Sequence, residues 1–417
     1  MSTNQHPPDP EYPSTTDAAA LRQGDPEISR QELVFENFGA RTRLSADLGA
    51  SPGDDIAPII DGAMTPDTLF VIDEPGRYDL GGPITPLIDA WGLVVEPGVY
   101  ATLSVPGGVD AALGDPDTPL RKGLFGGFEL AGRDAGGHGR LDIAVAPGGH
   151  VDVLDVQWAG AADAGDTPHP VRVAAQVGGT LRCERVRATG GGTGDGVHIR
   201  SETSGSVDLI DSSVIGFDGD GVASNGNEGA VHVVGGEYAD SAGDQLRFGG
   251  PHTWAIRAAI RAESSSTGSG VRWTANNDHR DGGLIRDSEL DVHGGSPSIG
   301  GDEGTGPLRV ENCILRSDSG GGIRAQRPNT DQPSRWEIVE TDIVGGDSNH
   351  AVNVDEREGS LIESCVIHLP NGDGVVFDDA DPGDIVESRV DVGRTAWRHA
   401  DVDACTTTGG HEPRSVL

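Results

Sequence analysis

The sequence predicts an all-β chain: a single-stranded right-handed parallel β-helix of three short strands per coil, about 10–12 coils in all, with a short N-terminal capping helix. Two files of recurring residues carry that expectation. The first is a five-residue pattern, apolar-acidic-small-any-apolar, seen in Ile210-Asp211-Ser212-Ser213-Val214, Val310-Glu311-Asn312-Cys313-Ile314, Val339-Glu340-Thr341-Asp342-Ile343, Ile362-Glu363-Ser364-Cys365-Val366 and Val386-Glu387-Ser388-Arg389-Val390. Arg286-Asp287-Ser288-Glu289-Leu290 keeps all but one apolar position, and looser copies centre on Gly236 and Ala258. With the small residue as origin, the copies fall at 212, 236, 258, 288, 312, 341, 364 and 388, in steps of 22 to 30 residues. Small polar residues in such a file would stack at a bend, each bonding to its neighbours in the coils before and after.

The second file is a glycine-acid corner: Gly194-Asp195-Gly196-Val197, Gly219-Asp220-Gly221-Val222, Gly243-Asp244-Gln245-Leu246, Gly268-Ser269-Gly270-Val271 and Gly372-Asp373-Gly374-Val375, with Gly321-Gly322-Ile323 in another turn. Each period thus holds a corner, a strand, a variable corner, a second strand, a polar bend and a third strand. Parallel strands need a return path, and the other two strands of the coil provide it. Successive coils then lie about 4.8 Å apart.

Composition agrees. The 417 residues include 64 glycines, with only 4 % aromatic residues. There are 67 acids against 30 bases, a net charge of −37, and Lys122 is the sole lysine. So acidic a surface repels itself unless salt screens it, at about 1 M over a length of about 3 Å, which suggests a halophile's protein. The same charge argues against nucleic-acid binding, which needs a basic footprint. Four cysteines (Cys183, Cys313, Cys365, Cys405) match no metal knuckle, and Cys313 and Cys365 lie two coils apart, too far for a disulfide. No signal peptide and no membrane-spanning run is visible, which suggests a cytoplasmic protein or one exported as part of a virion or appendage.

In chain order, residues 1–30 read as a flexible tail with a short helix near 17–22, and 31–90 as a cap. In the cap, a helix capped near Asp54 and stopped at Gly62 precedes a strand, Thr68-Leu69-Phe70-Val71-Ile72, and then Glu74-Pro75-Gly76-Arg77-Tyr78. Coils occupy 91–405, with a polar tail over 406–417. A helix, a strand, Pro-Gly-x-Tyr and then stacked coils resemble the pectate-lyase-like superfamily of right-handed β-helices, over about residues 50–405. That group contains polysaccharide lyases, polygalacturonase-like hydrolases and viral tailspikes. The hydrolase signature is not followed: Gly137-His138-Gly139 precedes the Gly-Asp-Gly turns instead of following them, and no basic triplet comes after.

The strand after each corner points one residue in and the next out. The outward set is His198, Ala223, Arg247, Arg272, Arg324, Asn353 and Val376. Arginines on one face of so acidic a chain either pair with nearby acids or bind anionic groups bidentately. The resemblance implies anionic polysaccharide along that sheet, with an arginine as base; Arg324 and Arg327, in Arg324-Ala325-Gln326-Arg327-Pro328, are the candidates. His198, Arg247, Arg272, Arg324, His279, Arg280 and Trp336 are the candidate substrate contacts, helped by loops over 274–281, 302–306 and 327–335. No cofactor is required, although the stacked carboxylates Asp195, Asp220 and Asp244 offer hard oxygens to Ca²⁺ or else serve the local turn. The acidic file Asp287, Glu311, Glu340, Glu363 and Glu387 reads as a solvated face. Two functions follow: recognition, with or without cleavage, of an acidic polysaccharide or cell-surface glycan by a monomer or homotrimer, or a non-catalytic spike or adhesion β-helix.

Overall fold

Asp55 starts the short helix Ile56–Ala63. Its carboxylate accepts the backbone N–H of Ala57 at 3.1 Å and of Gly81 at 3.0 Å, so one side chain both caps Ile56–Ala63 and ties it to the first coils. Ile56, Ala57 and Ile60 face inward from it. The following strand, Thr68–Ile72, is buried at every position, as a parallel strand covered on both faces should be.

In this computed structural model the chain is all-β, a parallel right-handed β-solenoid of about 12 turns with very little helix. The described residues are 37–408 apart from 133–136, 160–168, 191–192, 225, 264–267, 275–282, 295, 319–320, 329–333, 347–349 and 379–382. The expected helix near 17–22 lies outside them. No helix among them is long and apolar enough to cross a membrane.

The described turns group into two compact units, one running up to Arg247 and the other from Phe248 onward. In the N-terminal unit, stacking is already under way at Ala40–Arg43, which pairs in parallel with Thr68–Ile72, and that strand with Ala90–Val95. The later coils of this unit stack Thr180–Glu184, Ser206–Ile210 and Ala230–Val234 on one face and Val171–Ala175, Val197–Ile199 and Val222–Ser224 on another. Arg187–Thr189, Ser213–Ile215 and Glu237–Ala239 form the third. The C-terminal unit repeats this plan, with Gly283–Arg286, Leu308–Glu311 and Trp336–Val339 on one face, Val271–Trp273, Ile299–Gly301 and Ile323–Ala325 on the second, and Glu289–Val292, Ile314–Ser317 and Asp342–Gly345 on the third. Valine, leucine, isoleucine and alanine fill the interior.

The bend between the first and third faces differs from its sequence reading by one residue in two coils. In the C-terminal unit Asp287, Asn312, Glu340, Ser364 and Glu387 all take left-handed φ of 48–54°. The residue after each points inward and is buried: Ser288, Cys313, Thr341, Cys365 and Ser388. The stacking file is therefore built from serine, threonine and cysteine, with Asn312 and Ser364 making the turn instead. The acidic file divides as well, into Asp287, Glu340 and Glu387 on the turn and Glu311 and Glu363 at the strand end before it.

Each inward hydroxyl does two things. Ser388 Oγ accepts the Cys365 N–H at 3.1 Å and donates to Val386 O at 2.9 Å; Ser288 Oγ accepts the Ala258 N–H at 3.2 Å and donates to Arg286 O at 2.8 Å. The bend breaks the strand ladder, and the side chain supplies the missing acceptor. Cys365 Sγ donates to Glu363 O at 3.2 Å in the same way, so a thiol stands in for a hydroxyl. Ser388→Ala should therefore cost about 1–3 kcal/mol in denaturant unfolding by stranding the buried Cys365 amide, while Cys365→Ser should cost less. Equal losses would show that the file does not act through this bond.

Candidate functional site

In the N-terminal unit the Gly-Asp-Gly corners do what turn chemistry asks of them. A Cβ on Gly221 would lie 2.5 Å from the carbonyl oxygen of Gln245, so glycine is what lets the coils approach there. Asp195 Oδ1 accepts the Asp220 N–H at 2.9 Å, and Asp220 Oδ1 accepts the Asp244 N–H at 2.8 Å. Each carboxylate thus holds the corner of the following coil. Asp220 Oδ2 faces Arg247 Nη1 at 3.4 Å. Burial, with Asp195 adding to it, raises the Asp220 carboxyl above the usual range despite the Asp244 amide and Arg247.

This arrangement departs from the Ca²⁺ expectation. Asp195, Asp220 and Asp244 are not among the described groups whose ligand atoms all lie within 4.8 Å of one another; Asp195 and Asp220 each hold a backbone amide of the next corner instead. Among the described residues the group with metal-ligand spacing is instead His169, Asp195 and His198. His198 Nδ1 lies 2.9 Å from Asp195 Oδ2, and His169 Nδ1 lies 3.5 Å from that oxygen. His169 Nδ1 also accepts the Asp195 N–H at 3.0 Å. The two imidazoles stack, with centroids 4.3 Å apart and planes 21° from parallel. Burial and the neighbouring His198 push His169 below the ordinary histidine range. Burial opposes ionisation of Asp195, but bonds from His198 and the Asp220 amide hold its carboxyl below the usual range overall.

The outward file of this unit reads Asp142, Arg172, His198, Ala223, Arg247 in register. Arg172 is clasped by Asp142, Nε to Oδ1 at 3.1 Å and Nη2 to Oδ2 at 2.6 Å. Here the arginines answer acids.

In the C-terminal unit the corresponding file is Arg272, Gly300, Arg324, Asn353, Val376 and Arg398. Arg272 forms an ion pair with Asp302 and lies along Gly300. Arg398 faces Asp373 at 3.3 Å, whose other oxygen accepts the Thr395 N–H at 2.9 Å. Val376 is buried. Arg324 differs: it is exposed, and its guanidinium meets no ion-pair or hydrogen-bond partner among the described residues. Arg327 is exposed too, with Glu303 at a loose 3.9 Å.

Trp336 corrects the sequence reading. Its side chain is fully buried, seated against Gly301 of the coil before, with Arg357 over its ring at 5.2 Å. It is a core residue with no face for a sugar. His279 and Arg280 lie outside the described residues.

Sequence reasoning passed over Arg357, which reads as part of an exposed charge run, Glu356-Arg357-Glu358, yet has no exposed surface. Its Nε donates to Gln326 O at 2.8 Å, Nη1 to Thr305 O at 3.0 Å and Ser334 O at 2.9 Å, and Nη2 to Thr305 Oγ1 at 2.7 Å. One guanidinium thereby ties together three segments beside the Arg324 strand. His169 was missed as well, though it stands 26 residues before Asp195, about one period.

No protein-family model matches the chain, and no curated protein matches it. Solved structures do. The periplasmic alginate epimerase AlgG is 8 % identical, with 88 % of this chain and 83 % of that one covered at a TM-score of 0.47. Pectate lyase Pel9A is 10 % identical, with 85 % and 72 % covered at 0.35. The A-module of the Azotobacter vinelandii mannuronan C-5 epimerase AlgE6 is 13 % identical, with 89 % and 99 % covered at 0.35. At these identities the likeness is one of backbone path alone.

Proposed function

We propose that this protein recognises a carbohydrate polymer, and that the C-terminal unit binds an anionic polysaccharide along the sheet face that carries Arg324. The observation behind this reading is the exposed guanidinium of Arg324, without an ion-pair or hydrogen-bond partner among the described residues, in a chain of net charge −37. Acids surround the other arginines of the file, Arg272 and Arg398, and satisfy them. A cation left unanswered amid so many carboxylates is suited to bidentate capture of a carboxylate or sulfate from outside. Its neighbours in register, Gly300 and Asn353, carry no competing charge: the first has no side chain, with Arg272 lying along it, and the second is a neutral amide. Arg324 would also be the base in any cleavage, with Arg327 near the reacting sugar.

Arg324→Ala should weaken retention on an anionic polysaccharide column about ten- to a hundredfold in matched salt. Arg316→Ala, which removes the same charge from a different sheet of the unit, should leave retention unchanged. Equal retention by wild type and Arg324→Ala would end this reading. Unsaturated sugar ends released by wild type and lost in Arg324→Ala would extend it to lyase chemistry.

A further inference from the structure

We propose that His169, Asp195 and His198 form a binding site for a divalent transition-metal ion of the zinc class at a corner of the N-terminal unit. Three donors from two coils meet there: His169 from one, Asp195 and His198 from the next. In a tetrahedral site with bonds of about 2.0–2.1 Å, neighbouring ligand atoms stand about 3.3 Å apart. The Asp195 Oδ2 separations from His198 Nδ1 and His169 Nδ1, 2.9 and 3.5 Å, fall on either side of that spacing. All three ligand atoms lie within 4.8 Å of one another.

Donor chemistry selects the ion. Two imidazole nitrogens and one carboxylate suit zinc, cobalt, nickel or ferrous iron, whereas Ca²⁺ calls for an all-oxygen shell. The side chains of His169, Asp195 and His198 are 23, 18 and 36 % exposed, so an ion has a route in and would keep an open position for water or a ligand. The carboxylate is already oriented, because its second oxygen is fixed by the Asp220 amide at 2.9 Å, the outer-shell support that metal-ligating carboxylates use. Binding would replace two hydrogen bonds, Asp195 N–H to His169 and His198 to Asp195, with two metal–nitrogen bonds. It would also pin one coil to the next.

The test is titration of the chelator-stripped full chain with Co²⁺ and Zn²⁺ in about 1 M NaCl, which screens diffuse cation binding to the acidic surface. Expected are one ion per chain, visible Co²⁺ absorption of a site containing nitrogen ligands, no displacement by excess Ca²⁺, and a higher melting temperature with Zn²⁺. His169→Gln and His198→Gln, made separately and each confirmed to be folded by circular dichroism, should each weaken binding by at least ~10-fold. Absence of stoichiometric binding, or binding that survives both substitutions or yields to Ca²⁺, would overturn the proposal.

Discussion

Arg357→Met should destabilise the protein by about 3–5 kcal/mol, the largest loss expected from any single side chain outside the apolar core. Burial brings the Arg357 pKa down to about 10 from 12.5, so keeping the charge inside costs about 3 kcal/mol at every pH below that value. Methionine removes this cost. It also strands three carbonyls at about 1–3 kcal/mol each, the buried Thr305 O and Ser334 O and the part-buried Gln326 O, while the Thr305 hydroxyl keeps its bond to Asp302 O. Acceptor loss outweighs the relief. Arg357→Lys should fail as well, because an ammonium is a single point and cannot reach three segments at once. Denaturant unfolding gives the total. Hydrogen exchange gives the place: the Thr305 and Gln326 amides, which bond to Asp302 O and Gly301 O, should exchange faster. A variant that melts with the wild type would show that Arg357 is a passenger.

Gly236→Ala should be comparably damaging, at about 3–5 kcal/mol, and for a backbone reason. Gly236 occupies the position after the turn residue, where Ser212 points inward one coil earlier, and it does so at φ 87°. A methyl group there would be driven into the carbonyl oxygen of Ser212, which accepts the Glu237 N–H at 3.1 Å. The left-handed backbone and the collision act together, and neither can relax without opening the ladder between two coils. Gly216→Ala is the comparison: it has φ 81° but open space around its Cα, and should lose much less. If the two variants unfold alike, strain alone is at work and close stacking is not.

The solenoid was legible in the sequence because stacking turns periodicity into structure: the Gly-Asp-Gly corners and apolar pairs recur at the period they occupy in space. The bend was less legible. In Val310-Glu311-Asn312-Cys313 two adjacent residues are both small, and apolar spacing does not say which one turns and which one points in. Cysteine, behaving as serine does, concealed the answer. The site was legible only in its charges. An arginine file can be read from alternation, but whether each arginine is satisfied depends on partners that lie elsewhere in the sequence, such as Asp302 for Arg272. Trp336 and Arg357 both turned out to be buried where exposure was expected, for the same reason, since a local pattern does not reveal a guanidinium that finds its carbonyl and hydroxyl partners in other coils.

The inward thiols of the C-terminal unit bring one more consequence. Burial pushes Cys313 and Cys365 up to about 12, so at neutral pH they are protonated and shielded from electrophiles, whereas Cys405 in the last coil is partly accessible. Alkylating reagents would therefore meet the thiols of this unit in a fixed order, the outermost rung before the interior ones. The labelling rate at each cysteine becomes a clock for how often its own layer peels open, and it needs no introduced probe.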